Sequence, residues 1–188
     1  MTYPAVLLAS RSPRRRELLE QLGVPYTVID VLTDEGVAED ETPADYVERV
    51  ARQKAHAGRV LAADDPRPVL AADTSVIVED TILGQPARAA EAAEMLGRLA
   101  GRSHWVLTAI VLDVAGEQHF RLVSTEVWFR PLTPVVINAY VATGEPIGKA
   151  GGYAIQGRAA AFITRIEGSY SGVVGLPLCE LSELLNAI

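Results

Sequence analysis

Residues 6–22 constrain the fold most, because a short apolar run there ends in a polar turn that opens onto an arginine-loaded helix. Val6-Leu7-Leu8-Ala9 contains no polar residue, the pattern of a strand buried on both faces. Ser10-Arg11-Ser12-Pro13 interrupts it. Ser12 suits an N-cap and Pro13 the first helical position, after which Leu18, Leu19 and Leu22 recur on one helix face. Arg14, Arg15 and Arg16 then fill the first turn, where the helix already presents about half a positive elementary charge. Each is unfavourable there by roughly 0.3–1 kcal/mol at low salt. An anion would reverse that sign, since free amides, helix dipole and forked guanidinium groups all favour phosphate. The stretch therefore reads either as a polyphosphate cradle or as three solvated arginines on a surface helix. Successive helical residues point about 100° apart, so at most two of the three can face one ligand.

A formal net charge of -7 argues against nonspecific binding to nucleic acid or an anionic membrane, so an anionic ligand needs a local basic pocket. With 49% apolar residues, 188 residues suit one compact domain or two closely packed lobes. Lys54 and Lys149 are the two lysines among 17 cationic residues, either as compact point charges or through composition bias. Cys179 is alone, which excludes a disulfide framework, and its apolar helical surroundings predict a core position. His56, His104 and His119 lack ligand spacing, so no zinc site is expected. With no signal-peptide pattern and no membrane-length apolar run, a cytoplasmic location is expected.

Beyond the Gly23 helix stop, residues 26–31 alternate like a second strand, followed by an acidic loop holding Asp34, Glu35, Glu39, Asp40 and Glu41. Open α/β sheets place ligands after strands, so one or two of these carboxylates suit Mg²⁺, and the rest suit solvated loop charge. Thr42-Pro43 opens a helix over 44–61 with Tyr46, Val47, Val50 and Ala51 on one side. Lys54 lies beside that face, where it either snorkels outward or points into a cleft. Val69–Val78 reads as an apolar strand broken centrally by Asp73-Thr74-Ser75. A buried unpaired carboxylate is costly, so Asp73 should meet a metal, an attacking water or a basic side chain, unless it caps an Asx turn.

Further on, the patterns predict a helix over 89–99, strands over 105–113 and 120–129 around a hairpin at 115–118, and a helix over 134–142. Residues 143–157, with five glycines, read as a flexible loop carrying Lys149 and Gln156 that closes on a ligand. A last strand is expected over 159–166 and a last helix over 178–185. The alternation predicts a mixed α/β sheet with flanking helices.

Six stretches in order, LASRSPRRRELLEQLGV, YVERVARQKA, AADT, EAAEML with GRSHWVLTA, GGYAIQG and EGSYSGVVGLPL, resemble the Maf family of nucleoside triphosphate pyrophosphatases, also called septum-formation inhibitors. The resemblance implies an inosine-triphosphatase-like α/β fold, residues 1–188 forming a single domain of two packed lobes around a central cleft. It implies a nucleoside triphosphate cut between its α and β phosphates to give the monophosphate and pyrophosphate. On that template Ser10, Arg14, Arg15 and Lys54 contact the substrate, Asp73 is general base or metal ligand, and Glu35 is a second acidic ligand of a divalent cation, Mg²⁺ or Mn²⁺.

Arg14, Thr74 and Gln156 match the branch that acts on dTTP and UTP, with modified pyrimidine nucleotides as further candidates. The alternatives are the 7-methyl-GTP branch and a non-catalytic nucleotide-binding regulator of cell division. The resemblance admits a homodimer and gives no nucleic-acid or membrane partner. Gln85 stands where the family commonly has a phosphate-binding lysine, and Arg88 is the expected substitute.

Overall fold

A computed structural model describes residues 2–188. In chain order the elements are β1 (Val6–Leu8), α1 (Pro13–Leu22), β2 (Tyr26–Val28), α2 (Pro43–Ala62), β3 (Val69–Val78), β4 (Thr81–Leu83), α3 (Ala89–Leu99), β5 (Ser103–Val114), β6 (Glu117–Phe129), α4 (Pro134–Val141), β7 (Ile163–Glu167), α5 (Tyr170–Val174) and α6 (Leu178–Asn186). The seven strands form one sheet in the order β2-β1-β3-β5-β6-β7, with β4 paired to β3. β1 runs parallel to β2 and to β3, whereas β4 on β3 and β7 on β6 are antiparallel, so the expected mixed α/β fold is borne out. The chain divides into two compact units, the first comprising residues 1–73, 108–123 and 175–188 and the second 74–107 and 124–174.

In the first unit, β1 is buried on both faces, as an uninterrupted apolar run requires. α2 covers the sheet with Tyr46, Val47, Val50, Ala51 and Ala55. It comes unusually close at Gly58, where an added Cβ would lie 2.7 Å from Val69 Cγ1 and 3.1 Å from Ala9 Cβ. Lys54 is one turn before Gly58 on the same face, so this close approach carries its side chain toward β3. The Thr42 hydroxyl accepts the Asp45 amide and caps the helix start.

Four local expectations change in this unit. β2 stops at Val28 instead of Val31, because this short, largely exposed strand pairs with β1 alone. Ser12 occupies the N-cap position of α1 but makes no capping bond through its side chain, and its own amide donates to Ser10 Oγ at 3.2 Å. Cys179 is exposed and not core, because α6 buries Leu181, Leu184 and Leu185, and a residue two positions from Leu181 points about 200° away from it. The β5–β6 turn is also tighter than 115–118, being formed by Ala115 and Gly116 at φ of 52° and 93°.

In the second unit, Glu79 and Asp80 both have positive φ and turn β3 back into β4, a hairpin that the short stretch Thr81–Leu83 did not announce. Residues 143–157 are not an open loop. They fold as turns and a 3-10 helix at Ala150–Gly152, and Gly151 through Ile155 are buried. Glycine allows this flush packing: Gly151 has φ of 66°, and a Cβ there would meet Val76 Cγ1 at 2.8 Å. Likewise β7 begins at Ile163 and not at 159, since Arg158–Phe162 coil into a second 3-10 helix.

His104 lies in the core of this unit, edge-on to Phe129 at 5.0 Å between ring centres, with its Nε2 2.8 Å from the Tyr153 hydroxyl. Its Nδ1 has no hydrogen-bond partner among the described residues. Burial disfavours the charged ring and holds its pKa down to about 4. Above about pH 6.5 the ring is neutral in folded and unfolded chains alike, so it does not affect stability. Between about 6.5 and 4 only the unfolded chain takes up the proton, and stability should fall by up to about 3 kcal/mol. Urea midpoints measured across this range should drop for the wild type and stay flatter for His104→Leu. Equal slopes would show that His104 is not the titrating group. Glu41 and Asp65, both held near 2 by arginine hydrogen bonds, add their own loss only below about pH 4.5.

Candidate functional site

The arginines at the start of α1 part ways as helical geometry requires. Arg15 is buried, donating from Nε to the Gly175 carbonyl at 2.8 Å and from Nη1 to Ser10 Oγ at 3.1 Å. Arg16 turns back to the Arg11 carbonyl at 2.8 Å, and Arg11 pairs outward with Asp30. Arg14 is half-buried. Desolvation pulls both the Arg14 and Arg15 guanidinium groups below their usual pKa. Glu17 opposes this at Arg14, whereas at Arg15 Asp73 and Glu35 oppose it and Arg14 adds to it. Ser10 is buried and its hydroxyl oxygen accepts from Ser12 and Arg15 together, so the loop before the helix is held from both sides. No acidic residue occupies the first turn of α1.

Sequence periodicity left two directions open for Lys54, and the fold selects one. Its ammonium lies 2.8 Å from Asp73 Oδ1 and 2.9 Å from Glu35 Oε1. Lys54 and Asp73 side chains are 11% and 9% exposed, so this pair is desolvated, whereas Glu35 is 47% exposed. Asp73 thus meets a basic side chain, one of the partners that its place in an apolar strand demanded. Arg15 senses both carboxylates, which places Ser10, Arg15, Glu35, Lys54 and Asp73 in one charged neighbourhood of the first unit.

Two carboxylates converging on one cation supply hard oxygen donors, in the number that Mg²⁺ commonly takes from a protein when phosphate oxygens and water complete its shell. The donor set therefore has the chemistry to hold a divalent cation. Among the described residues no group of three or more His, Cys, Asp or Glu forms an all-protein cage.

Thr74, half-buried, and Gln156, exposed, lie in the second unit, as do Gln85 and Arg88. Arg88, the expected substitute for a missing lysine, is paired with Glu91 at 2.6 Å on an exposed surface. Sequence reasoning missed three groups. Tyr46, counted as apolar face, donates its hydroxyl to the Glu35 carbonyl at 2.9 Å. Arg49 donates to the Gly36 carbonyl at 2.8 Å and grips Glu41 with two bonds. Spacing offered one signal, since Arg49 lies one turn beyond Tyr46 on the helix that carries Lys54. The Gly175 carbonyl that receives Arg15 had none. Among the described residues, no helix is long and apolar enough to cross a membrane.

The family model described as Maf-like protein matches residues 5–188. A protein of Burkholderia thailandensis named dTTP/UTP pyrophosphatase is 53% identical over 197 residues, covering 99% of this chain and 94% of its own. Proteins of the same name from Xanthomonas axonopodis pv. citri and Nitrosomonas europaea are 52% and 49% identical, each covering 96% of this chain and 96% and 93% of their own. Among solved structures, a HAM1 protein from Coxiella burnetii superposes with a TM-score of 0.55 at 17% identity, covering 98% of this chain and 100% of that one, a likeness of fold alone.

Proposed function

This chain belongs to the Maf-like protein family, and we infer that it is a nucleoside triphosphate pyrophosphatase that hydrolyses dTTP and UTP to the monophosphate and pyrophosphate. Relatives about half identical to it over nearly its whole length, all named for that activity, carry this reading. The charged neighbourhood of Lys54 supports it chemically, because phosphoryl transfer needs mainly positioning and neutralisation of oxygen charge.

Residues 1–188 work as a single catalytic domain in this reading. Ser10, Arg14 and Arg15 bind the triphosphate at the start of α1, where amides and guanidinium groups attract the same anion. Lys54 engages Asp73 Oδ1 and orients the carboxylate, leaving Oδ2 to take a proton from the attacking water. That water oxygen forms a bond to the α-phosphorus, the bond from phosphorus to the bridging oxygen breaks, and pyrophosphate leaves with the electron pair. Glu35 would hold a divalent cation, Mg²⁺ or Mn²⁺, joined by Asp73 in the alternative in which Asp73 is a metal ligand and not the base, and that cation when bound supplies neutralising charge on the phosphate oxygens. Thr74 and Gln156 read the pyrimidine through hydrogen bonds, Gln156 offering both a donor and an acceptor. A cytoplasmic location and a homodimer belong to the same reading.

Pyrophosphate release from dTTP, UTP, CTP, GTP and 7-methyl-GTP, each with Mg²⁺, Mn²⁺ or EDTA, tests it. dTTP and UTP should be cleaved with metal and spared in EDTA. A preference for 7-methyl-GTP would overturn the assignment of substrate, and no release from any nucleotide would overturn the enzyme.

A further inference from the structure

Glu35 sits in a stretch between β2 and α2 that holds no regular secondary structure, and its side chain is about half exposed. An ion pair of that exposure contributes at most about 1 kcal/mol, too little to hold a carboxylate in one place against the loop's own freedom. Its position must come from bonds to the loop backbone. α2 supplies them. Tyr46 donates to the Glu35 carbonyl at 2.9 Å, and Arg49 Nη2 donates to the next carbonyl, Gly36, at 2.8 Å. The same guanidinium takes both oxygens of Glu41, Nε to Oε1 at 2.5 Å and Nη2 to Oε2 at 2.8 Å. Glu41 Oε2 in turn accepts the Ala38 amide at 3.0 Å, and the Arg49 guanidinium stands 5.6 Å from the centre of the Tyr46 ring. The loop is thus tied to α2 at the Glu35 backbone and again on its C-terminal side, and the helix that ties it also carries Lys54.

We propose that Arg49 and Tyr46 are positioning residues, which hang the 34–41 loop on α2 so that the Glu35 carboxylate is held against Lys54. The proposal rests on the reading that Glu35 belongs to the catalytic site. The Arg49 hydrogen bond, seconded by the Ala38 amide, keeps Glu41 ionised down to about pH 2, so the clamp is charged at neutral pH. Lysine cannot replace Arg49, because one ammonium cannot serve two carboxylate oxygens and a carbonyl in the fork geometry of a guanidinium.

Steady-state kinetics of the full-length Glu35→Gln, Arg49→Gln, Arg49→Lys, Tyr46→Phe and Glu35→Gln/Arg49→Gln variants test it, together with limited proteolysis of the 34–41 loop. Arg49→Gln should lower activity roughly 10- to 100-fold, with the same division between kcat and KM as Glu35→Gln. Arg49→Lys should rescue little of it, and Tyr46→Phe should fall between. In the Glu35→Gln background, Arg49→Gln should add less than about twofold, since a residue acting through Glu35 has nothing left to position. Multiplying effects in the double variant, or wild-type kinetics for Arg49→Gln beside an impaired Glu35→Gln, would overturn the proposal. Proteolysis separates this from failure of the underlying reading. Faster loop cleavage in Arg49→Gln with a catalytically indifferent Glu35→Gln would leave the clamp and remove its target, overturning the functional part. Unchanged cleavage would overturn the clamp itself.

Discussion

Replacing Asp73 with asparagine is expected to lower metal-supported pyrophosphate release from dTTP by on the order of a thousandfold while the chain stays folded. Asparagine has nearly the shape of aspartate, so β3 need not move, and Lys54 keeps Glu35 at 2.9 Å as a partner. What the substitution removes is a charged oxygen able to accept a proton or hold a cation. The loss should therefore fall on kcat, because an interaction with the reacting water is made chiefly in the transition state. A single-turnover assay with the folded state checked by its urea midpoint would test this. Retention of activity within about tenfold of wild type would place the proton acceptor elsewhere.

Lys54→Met should damage both stability and activity. The ammonium lies between a carboxylate 9% exposed and one 47% exposed, and methionine fills similar space without charge. Stripping one partner from a buried pair leaves an uncompensated ion, which costs about 3–5 kcal/mol. The lower end, about 3 kcal/mol, is expected here because Arg15 still exerts its charge on Asp73. Denaturant midpoints of Lys54→Met, Asp73→Asn and the double variant would measure the coupling directly, and the double should be more stable than the two losses added together. Strict additivity would mean that the pair is screened by water and that the site is not desolvated. Turnover should fall in Lys54→Met under conditions where it remains folded, since Asp73 then has no fixed orientation.

Much of this organisation could be read along the chain because it depends on local pattern. The uninterrupted run at Val6 to Leu8, the Thr42-Pro43 start of α2 and the apolar frame around Asp73 each report how a residue's neighbours in sequence are buried. The same logic failed where two structures share one pattern. Cys179 sits among apolar residues yet faces solvent, because helical phase decides exposure and the surrounding composition does not. The glycines of 143–157 suggested looseness, but they permit close packing as readily as they permit motion.

By itself the sequence determined the strand–turn–helix order, the arginine load on the first helix, the need for Asp73 to be compensated, and through whole-length likeness the family. Tertiary structure alone decided the partners. Lys54 meets Asp73 across 19 positions and Arg15 meets the Gly175 carbonyl across 160, while Arg49 and Tyr46 become supports of Glu35 only once the acidic loop lies on α2. Periodicity states which face of an element a side chain occupies. What stands opposite that face depends on how the elements pack, and a distant carbonyl or carboxylate leaves no mark on the local pattern.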